Sequence, residues 1–305
     1  MNTSQVILVT GATGAQGGGV VDALLRGGNH VRALVRDPQS HAAKRLSERG
    51  VQLVPGHFED ARAVRTAVEG ADGVFSMQLP PHPKKPDTEV AAATILVEAA
   101  EEQGVRTFVH TSVARAGDHD TFVGWDENRW WKRYWTSKAA ANDVVRSSKL
   151  AHWVILKPAF MMDNFIPPKA DYMFPQLREG QIISALEQAS TLDLIAASDI
   201  GRVASAAFTD VAAFDHQEFD LAAESLTMTE IGEIVSSVTA TPIQVNHLDA
   251  ESASAAGTHV SVVESQLWAS VEGYQVDLAS AARTGIDYRS FAQWAKDNRE
   301  RFAVG

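Results

Sequence analysis

Residues 6–19 run Val6-Ile7-Leu8-Val9-Thr10-Gly11-Ala12-Thr13-Gly14-Ala15-Gln16-Gly17-Gly18-Gly19, an apolar strand cut off by glycines at three-residue spacing. A helix-like stretch follows, Val20-Val21-Asp22-Ala23-Leu24-Leu25-Arg26. Each of three glycines has a separate reason to be there. Gly11 permits the tight turn, Gly14 lets a pyrophosphate approach the backbone with no side chain between, and Gly17 lets the helix lie close to the strand. The phosphate then sits at the positive end of the helix. A glycine-rich turn without a ligand is the alternative, and the strand before and helix after it argue against that alternative.

The same alternation continues downstream. Short apolar runs at 5–10, 30–35, 51–54, 73–77, 107–110 and 153–156 are separated by amphipathic stretches such as 90–103. This pattern predicts an α/β fold, a Rossmann doubly wound parallel sheet with a smaller α/β carboxyl-terminal substrate domain. The expected division gives residues 1–157 to the dinucleotide-binding domain, with 190–215 returning to it. Residues 158–189 and 216–305 then form the smaller domain, closing over the carboxyl ends of the strands.

Composition excludes several functions. The chain has 27 basic and 38 acidic side chains, a net charge of −11, so its average field repels phosphate backbones and nucleic acid is not an expected partner. It has no cysteine, which removes thiolate catalysis and cysteine-ligated metals and fits a reducing cytoplasm. No signal peptide precedes the first strand and no apolar run is long enough to span a bilayer, so a cytoplasmic protein without a membrane partner is expected. Among the histidines no pair stands at ligand spacing with a carboxylate, so no metal is expected. His82 and His119 read as surface residues. A homodimer is compatible with the sequence.

The second strand ends on Arg36, where a guanidinium suits the 2′-phosphate of NADP(H) with two donors and a permanent charge. Asp37 follows and could instead hold the ribose of NAD(H), the less favoured cofactor. Further on, Tyr134 and Lys138 are spaced four apart in a stretch expected to be helical over 126–146, which places them on one face one turn apart. A nearby ammonium favours the phenolate and would bring the phenol from about 10 towards neutrality. Ser112 ends the preceding strand, where its hydroxyl could polarise a carbonyl while Tyr134 supplies a proton. The plainer alternative for Ser112 is a strand-end hydroxyl satisfying backbone.

Together, Gly11-x-x-Gly14-x-x-Gly17, Ser112 and Tyr134-x-x-x-Lys138 resemble the short-chain dehydrogenase/reductase superfamily. Residues 11–18 and the run Lys157-Pro158-Ala159-Phe160-Met161-Met162-Asp163-Asn164-Phe165 are similar to two signatures of its NmrA-like, atypical branch, and the order of elements resembles that branch over almost the whole chain. The resemblance implies NADPH-dependent reductases or dinucleotide-binding regulators that have lost catalysis, and the retained Tyr134 favours the former. It also implies that Thr13 and Gln16 join the glycines around the pyrophosphate and adjoining ribose. His57, where the family commonly has Asp, and Phe58 would lie near adenine. Gln78, Leu79 and Lys138 would lie at the nicotinamide ribose, and Pro158 to Phe160 would back the nicotinamide ring.

Four of seven tryptophans, Trp125, Trp130, Trp131 and Trp135, fall around Tyr134, and Met77, Phe160, Met161, Met162, Phe165, Met173 and Phe174 come from segments expected to converge there. As a pocket wall they favour a flat, apolar or aromatic small-molecule substrate; the alternative is ordinary core. Asn164 either orients substrate or caps a turn. Leu79-Pro80-Pro81-His82-Pro83-Lys84-Lys85-Pro86 should be a stiff rim. The expected function is an NADPH-dependent reductase acting on a carbonyl, quinone or activated double bond, with Trp125, Met162 and Asn164 on substrate. The alternative is a non-catalytic NADP(H) sensor acting through a protein partner.

Overall fold

A computed structural model describes residues 4–81 and 84–304, so His82 and Pro83 of the proline-rich loop lie outside the described residues. The central sheet is formed by β1 (Val6–Val9), β2 (His30–Val35), β3 (Gln52–Pro55), β4 (Gly73–Ser76), β5 (Thr107–Thr111), β6 (His152–Pro158) and β10 (Gln217–Leu221). All its pairings are parallel, in the order β10-β6-β5-β4-β1-β2-β3. The crossovers carry α1 (Ala15–Arg26), α2 (His41–Glu48), α3 (Ala61–Val68), α4 (Thr88–Glu102) and α5 (Lys132–Arg146). The central strands are apolar on both faces, Ile7 and Val9 facing one buried layer and Leu8 the other, because helices cover both sides. Strand order reverses between β1 and β4, and that reversal opens a crevice at their carboxyl ends.

Thr10 fixes the crevice floor. Its Oγ1 accepts from the Met77 amide at 2.7 Å and lies 3.1 Å from the Phe75 carbonyl, tying the end of β1 to the end of β4. Gly11 then turns at φ +65°, and Gly14 caps α1. A side chain on Gly17 would run into the backbone of Gly11 and Ala12, 2.8 Å from the Ala12 nitrogen.

The smaller part consists of a three-stranded sheet, β7 (Phe160–Met161), β9 (Thr191–Ile195) and β11 (Glu224–Thr227), and a parallel pair, β8 (Gln181–Ser184) with β12 (Gln244–His247). A short helix α6 (Ala170–Met173) and helices at Met228–Thr239, Val260–Val271 and Phe291–Asp297 complete it. Its core is rich in large aromatic side chains, among them Phe165, Phe174, Phe291 and Trp294.

Two boundaries differ from the sequence expectation. Residues 217–221 were expected in the smaller domain, yet β10 is the edge strand of the central sheet beside β6. A parallel neighbour requires a helical crossover, and α7 (Ala197–Thr209) is that crossover. It packs on α1 so closely that a side chain on Gly19 would meet the Ala197 and Ser198 backbone. Conversely, 191–195, expected to return to the first domain, pairs with β7 and β11 in the smaller sheet.

The start of α5 also differs. It begins at Lys132 instead of near 126, because Gly124 (φ +77°) and Asn128 (φ +57°) are left-handed and fold 123–131 into turns. Trp130 closes this loop by donating its indole N–H to the Val123 carbonyl at 2.8 Å. Tyr134 therefore stands in the first turn of the helix.

Candidate active site

Three clefts lie along the carboxyl ends of the strands. The first, about 460 Å³, is lined by Gly11, Thr13, Gly14, Arg36, Asp37, His57, Phe58 and Leu79, so the residues expected around the pyrophosphate and adenosine do meet. No hydrogen bond or ion pair among the described residues engages the exposed Arg36 guanidinium. Asp37, also exposed, is engaged locally, its carboxylate accepting from the Gln39 amide at 2.8 Å. The group that would hold an unphosphorylated ribose is thus part of a turn, while the cation is available.

The second cleft, about 260 Å³, is lined by Gln16, Gln78, Ser112, Tyr134, Lys138, Pro158, Phe160 and Asn164, together with Thr111, Ala159 and Tyr274. The chain brings these residues from α1, from the ends of β4, β5 and β6, from α5, and from the segments around 160–164 and 274, which is why their sequence separation hides their proximity. Gln16, expected around the pyrophosphate and the adjoining ribose, donates to Thr111 Oγ1 at 2.8 Å. Gln78 donates to Ser76 Oγ at 2.8 Å, and its Oε1 is buried without a hydrogen-bond partner among the described residues. Ser112 Oγ is also buried, with no hydrogen-bond partner among the described residues, and Ser112 is part of the cleft lining. Asn164 makes no side-chain hydrogen bond among the described residues. It sits in a single 3-10 turn, Met162–Phe165, with its amide available to the cleft.

Lys138 Nζ lies 5.9 Å from the Tyr134 ring centroid, one helical turn away. The lysine is engaged elsewhere, 2.6 Å from Glu89 Oε1. Glu89 is buried, and its other oxygen accepts from Ser137 Oγ at 2.6 Å. This corrects the expected tuning. Burial first, and the Glu89 charge second, push the Tyr134 phenol above its ordinary range instead of drawing it towards neutrality. Tyr134 holds its proton firmly. The His110 imidazole, 3.1 Å from Ser76 Oγ, is driven down to about 3 by burial and by Lys138, so it is neutral at physiological pH.

The third cleft adjoins the second through Tyr134, Met173, Val113, Ser265 and Tyr274. Its volume is about 300 Å³, and Trp130, Trp131, Trp135, Trp268 and Tyr172 are part of the wall. Tyr134 stands at the junction, stacked on Trp131 (5.9 Å, 25°) and edge-on to Trp135 (5.1 Å, 88°).

Part of the expected substrate wall is elsewhere. Trp125 is in the core, packed on His119 at 4.8 Å and on Phe122, and His119 is accordingly part-buried instead of a surface residue. Met162, with Phe165 and Phe174, is likewise buried, because the short 3-10 turn points it inward at the smaller domain's aromatic core. Neither Trp125 nor Met162 lines these clefts. Glu89, Tyr274 and Trp268 were missed. Glu89 sits in a helix first turn, where glutamate is usually a solvated complement to the dipole, and only a search for a carboxylate partner of Lys138 would have singled it out.

The family model described as NmrA-like family matches residues 3–277. An NAD(P)H azoreductase of Xenophilus azovorans is 29% identical, covering 98% of this chain and 100% of its own length. A (4-alkanoyl-5-oxo-2,5-dihydrofuran-3-yl)methyl phosphate reductase of Streptomyces griseus subsp. griseus is 27% identical, covering 98% and 99%. Among solved structures, NmrA, a negative transcriptional regulator in complex with NADP, superposes with a TM-score of 0.76 at 19% identity, covering 99% of this chain and 96% of that one. With the glycine loop, the parallel sheet and a model match over nine-tenths of its length, the chain belongs to the NmrA-like family.

Proposed function

We propose that the protein is an NADPH-dependent reductase of flat, apolar or aromatic small molecules carrying a carbonyl, quinone or activated double bond. The observation that carries this reading is the junction at Tyr134, where the cleft lined by Gln16, Gln78, Ser112 and Lys138 meets a chamber lined by four tryptophans. The two reductases that align over their full length support it.

The residues present fit the cofactor. Gly14 leaves the α1 terminus open, and among the described residues Arg36 is unpaired and the buried Gln78 Oε1 has no hydrogen-bond partner. When bound, NADPH would supply a hydride from its nicotinamide. Lys138 and Gln78 would hold the adjoining ribose, and Pro158 to Phe160 would back the ring. Tyr134, neutral and fixed between two indoles, donates its proton to the oxygen that gains charge, and Ser112 polarises that oxygen. The aromatic chamber binds the substrate's apolar body and excludes water from the reacting end.

Two measurements test the reading. Fluorescence titration is expected to show NADPH bound more tightly than NADH by roughly 10- to 150-fold, the worth of a charge-assisted pair to the 2′-phosphate, about 1.5 to 3 kcal/mol. Arg36→Ala should abolish the preference, and an unchanged preference would remove this assignment. Steady-state NADPH oxidation should then respond to quinones, aryl aldehydes and azo compounds, and no response from any of them would remove the reductase reading.

A further inference from the structure

A charged side chain in the first turn of a surface helix is ordinarily solvated, and a lysine on a long flexible stem ordinarily has many places to put its ammonium. Neither holds where α4 meets α5. Glu89 is 2% exposed and the Lys138 side chain 10% exposed, and they meet at 2.6 Å. Ser137, the neighbour of Lys138 in sequence, donates to the second Glu89 oxygen, also at 2.6 Å. Both carboxylate oxygens are thereby committed, and one carboxylate clamps two consecutive residues of α5.

We propose that Glu89 is the positioning residue of this site: it fixes the Lys138 ammonium at the cofactor-ribose end of the cleft and supplies the counter-charge that lets a cation persist there. The proposal rests on the reading of Lys138 as a cofactor ligand. A buried ammonium without a counter-charge gives up its proton at lower pH, and breaking one side of a buried pair strands the other. The other groups around the pair do not substitute for Glu89. From β5, His110 is neutral; from α5 itself, Tyr134 is a protonated phenol; Tyr274 is held protonated by burial, with Asp193 adding to that effect. Asp87, two residues before Glu89, is spent at the surface on Arg133 at 3.3 Å, and Glu264 lines the aromatic chamber and not the cleft that Lys138 lines.

Pairing also explains the state of Tyr134. A lysine whose charge is cancelled by Glu89 does not pull the phenol towards phenolate, so the site keeps a proton to give instead of a base to take one.

The test compares Glu89→Gln and Glu89→Asp by NADPH affinity from about pH 6 to 10, a range that spans the ionisation of an uncompensated amine. Wild-type affinity should be flat through the middle of this range. Glu89→Gln should bind about tenfold more weakly at neutral pH, with a loss that grows with pH through a single ionisation absent from the wild type. Glu89→Asp, which keeps the charge but withdraws the carboxylate by one methylene, should weaken binding without the new ionisation. A Glu89→Gln protein with wild-type affinity and pH profile would overturn the proposal. If that variant does not fold, wild-type affinity in Glu89→Asp would overturn it instead. Binding is read without turnover, so a protein that binds NADPH but reduces nothing fails the reductase reading while this test stands.

Discussion

Tyr134→Phe is expected to leave NADPH affinity within about twofold of wild type while lowering kcat by about 10²- to 10⁴-fold, the range for loss of a positioned general acid. The ring, its stacking on Trp131 and its edge contact with Trp135 all survive the substitution, so the loss isolates the hydroxyl. The sign of the pH dependence follows from the direction of the shift. The protonated phenol is the active form in reduction, and burial together with Glu89 pushes its ionisation upward, so the active window extends to higher pH. No decline in kcat assignable to Tyr134 should appear between about pH 6 and 9. An alkaline loss centred near neutrality that vanishes in Tyr134→Phe would mean that the phenol is drawn down after all. A Tyr134→Phe protein with full kcat would assign proton delivery to water.

Lys138→Ala should fail differently, through cofactor binding and stability together. It removes the expected ribose contact and also leaves the Glu89 carboxylate buried without its cation, a loss of about 3 to 5 kcal/mol by analogy with other broken buried pairs. Denaturant unfolding monitored by tryptophan fluorescence measures that loss. Replacing both partners, Lys138→Met with Glu89→Gln, should restore most of the stability because no charge is stranded, while NADPH affinity stays weak. Equal stability for Lys138→Ala and wild type would show that the pair is not buried as described.

The main lines of the fold were legible in the sequence because strand periodicity and glycine spacing are local properties. The runs at 30–35 and 107–110 coincide with β2 and, but for one residue, β5. What the sequence concealed depends on tertiary partners. Residues 217–221 carry no local mark of membership in the central sheet; only α7, docked on α1 through Gly19 and Gly201, returns the chain beside β6. The helical period through 126–131 was overridden by two left-handed residues. The cofactor-side positions and the Tyr134–Lys138 pair were found by their spacing and by family resemblance, and all of them but Gly17 line one of two clefts that share Met77.

The substrate side was less legible. Met162 and Trp125 are indistinguishable in type from Met173 and Trp131, and nothing short of the packing says which of them faces the core. Glu89 was hidden for a related reason. Its significance lies in a lysine 49 positions away that the α4–α5 contact brings to 2.6 Å. Tyr274 and Trp268 come from the last quarter of the chain, past the signatures on which the resemblance rests.

The most direct measurement is a single turnover. Protein loaded with stoichiometric NADPH would be mixed rapidly with a flat aromatic acceptor, such as a naphthoquinone or an aryl aldehyde, and with an aliphatic aldehyde of similar reactivity. The nicotinamide absorbance of wild-type protein is predicted to decay in one step with the aromatic acceptor, at least about tenfold faster than with the aliphatic one, a margin of about 1.4 kcal/mol of differential binding in the tryptophan chamber. Tight NADPH binding with no decay for any acceptor would contradict the account and leave a dinucleotide sensor in its place.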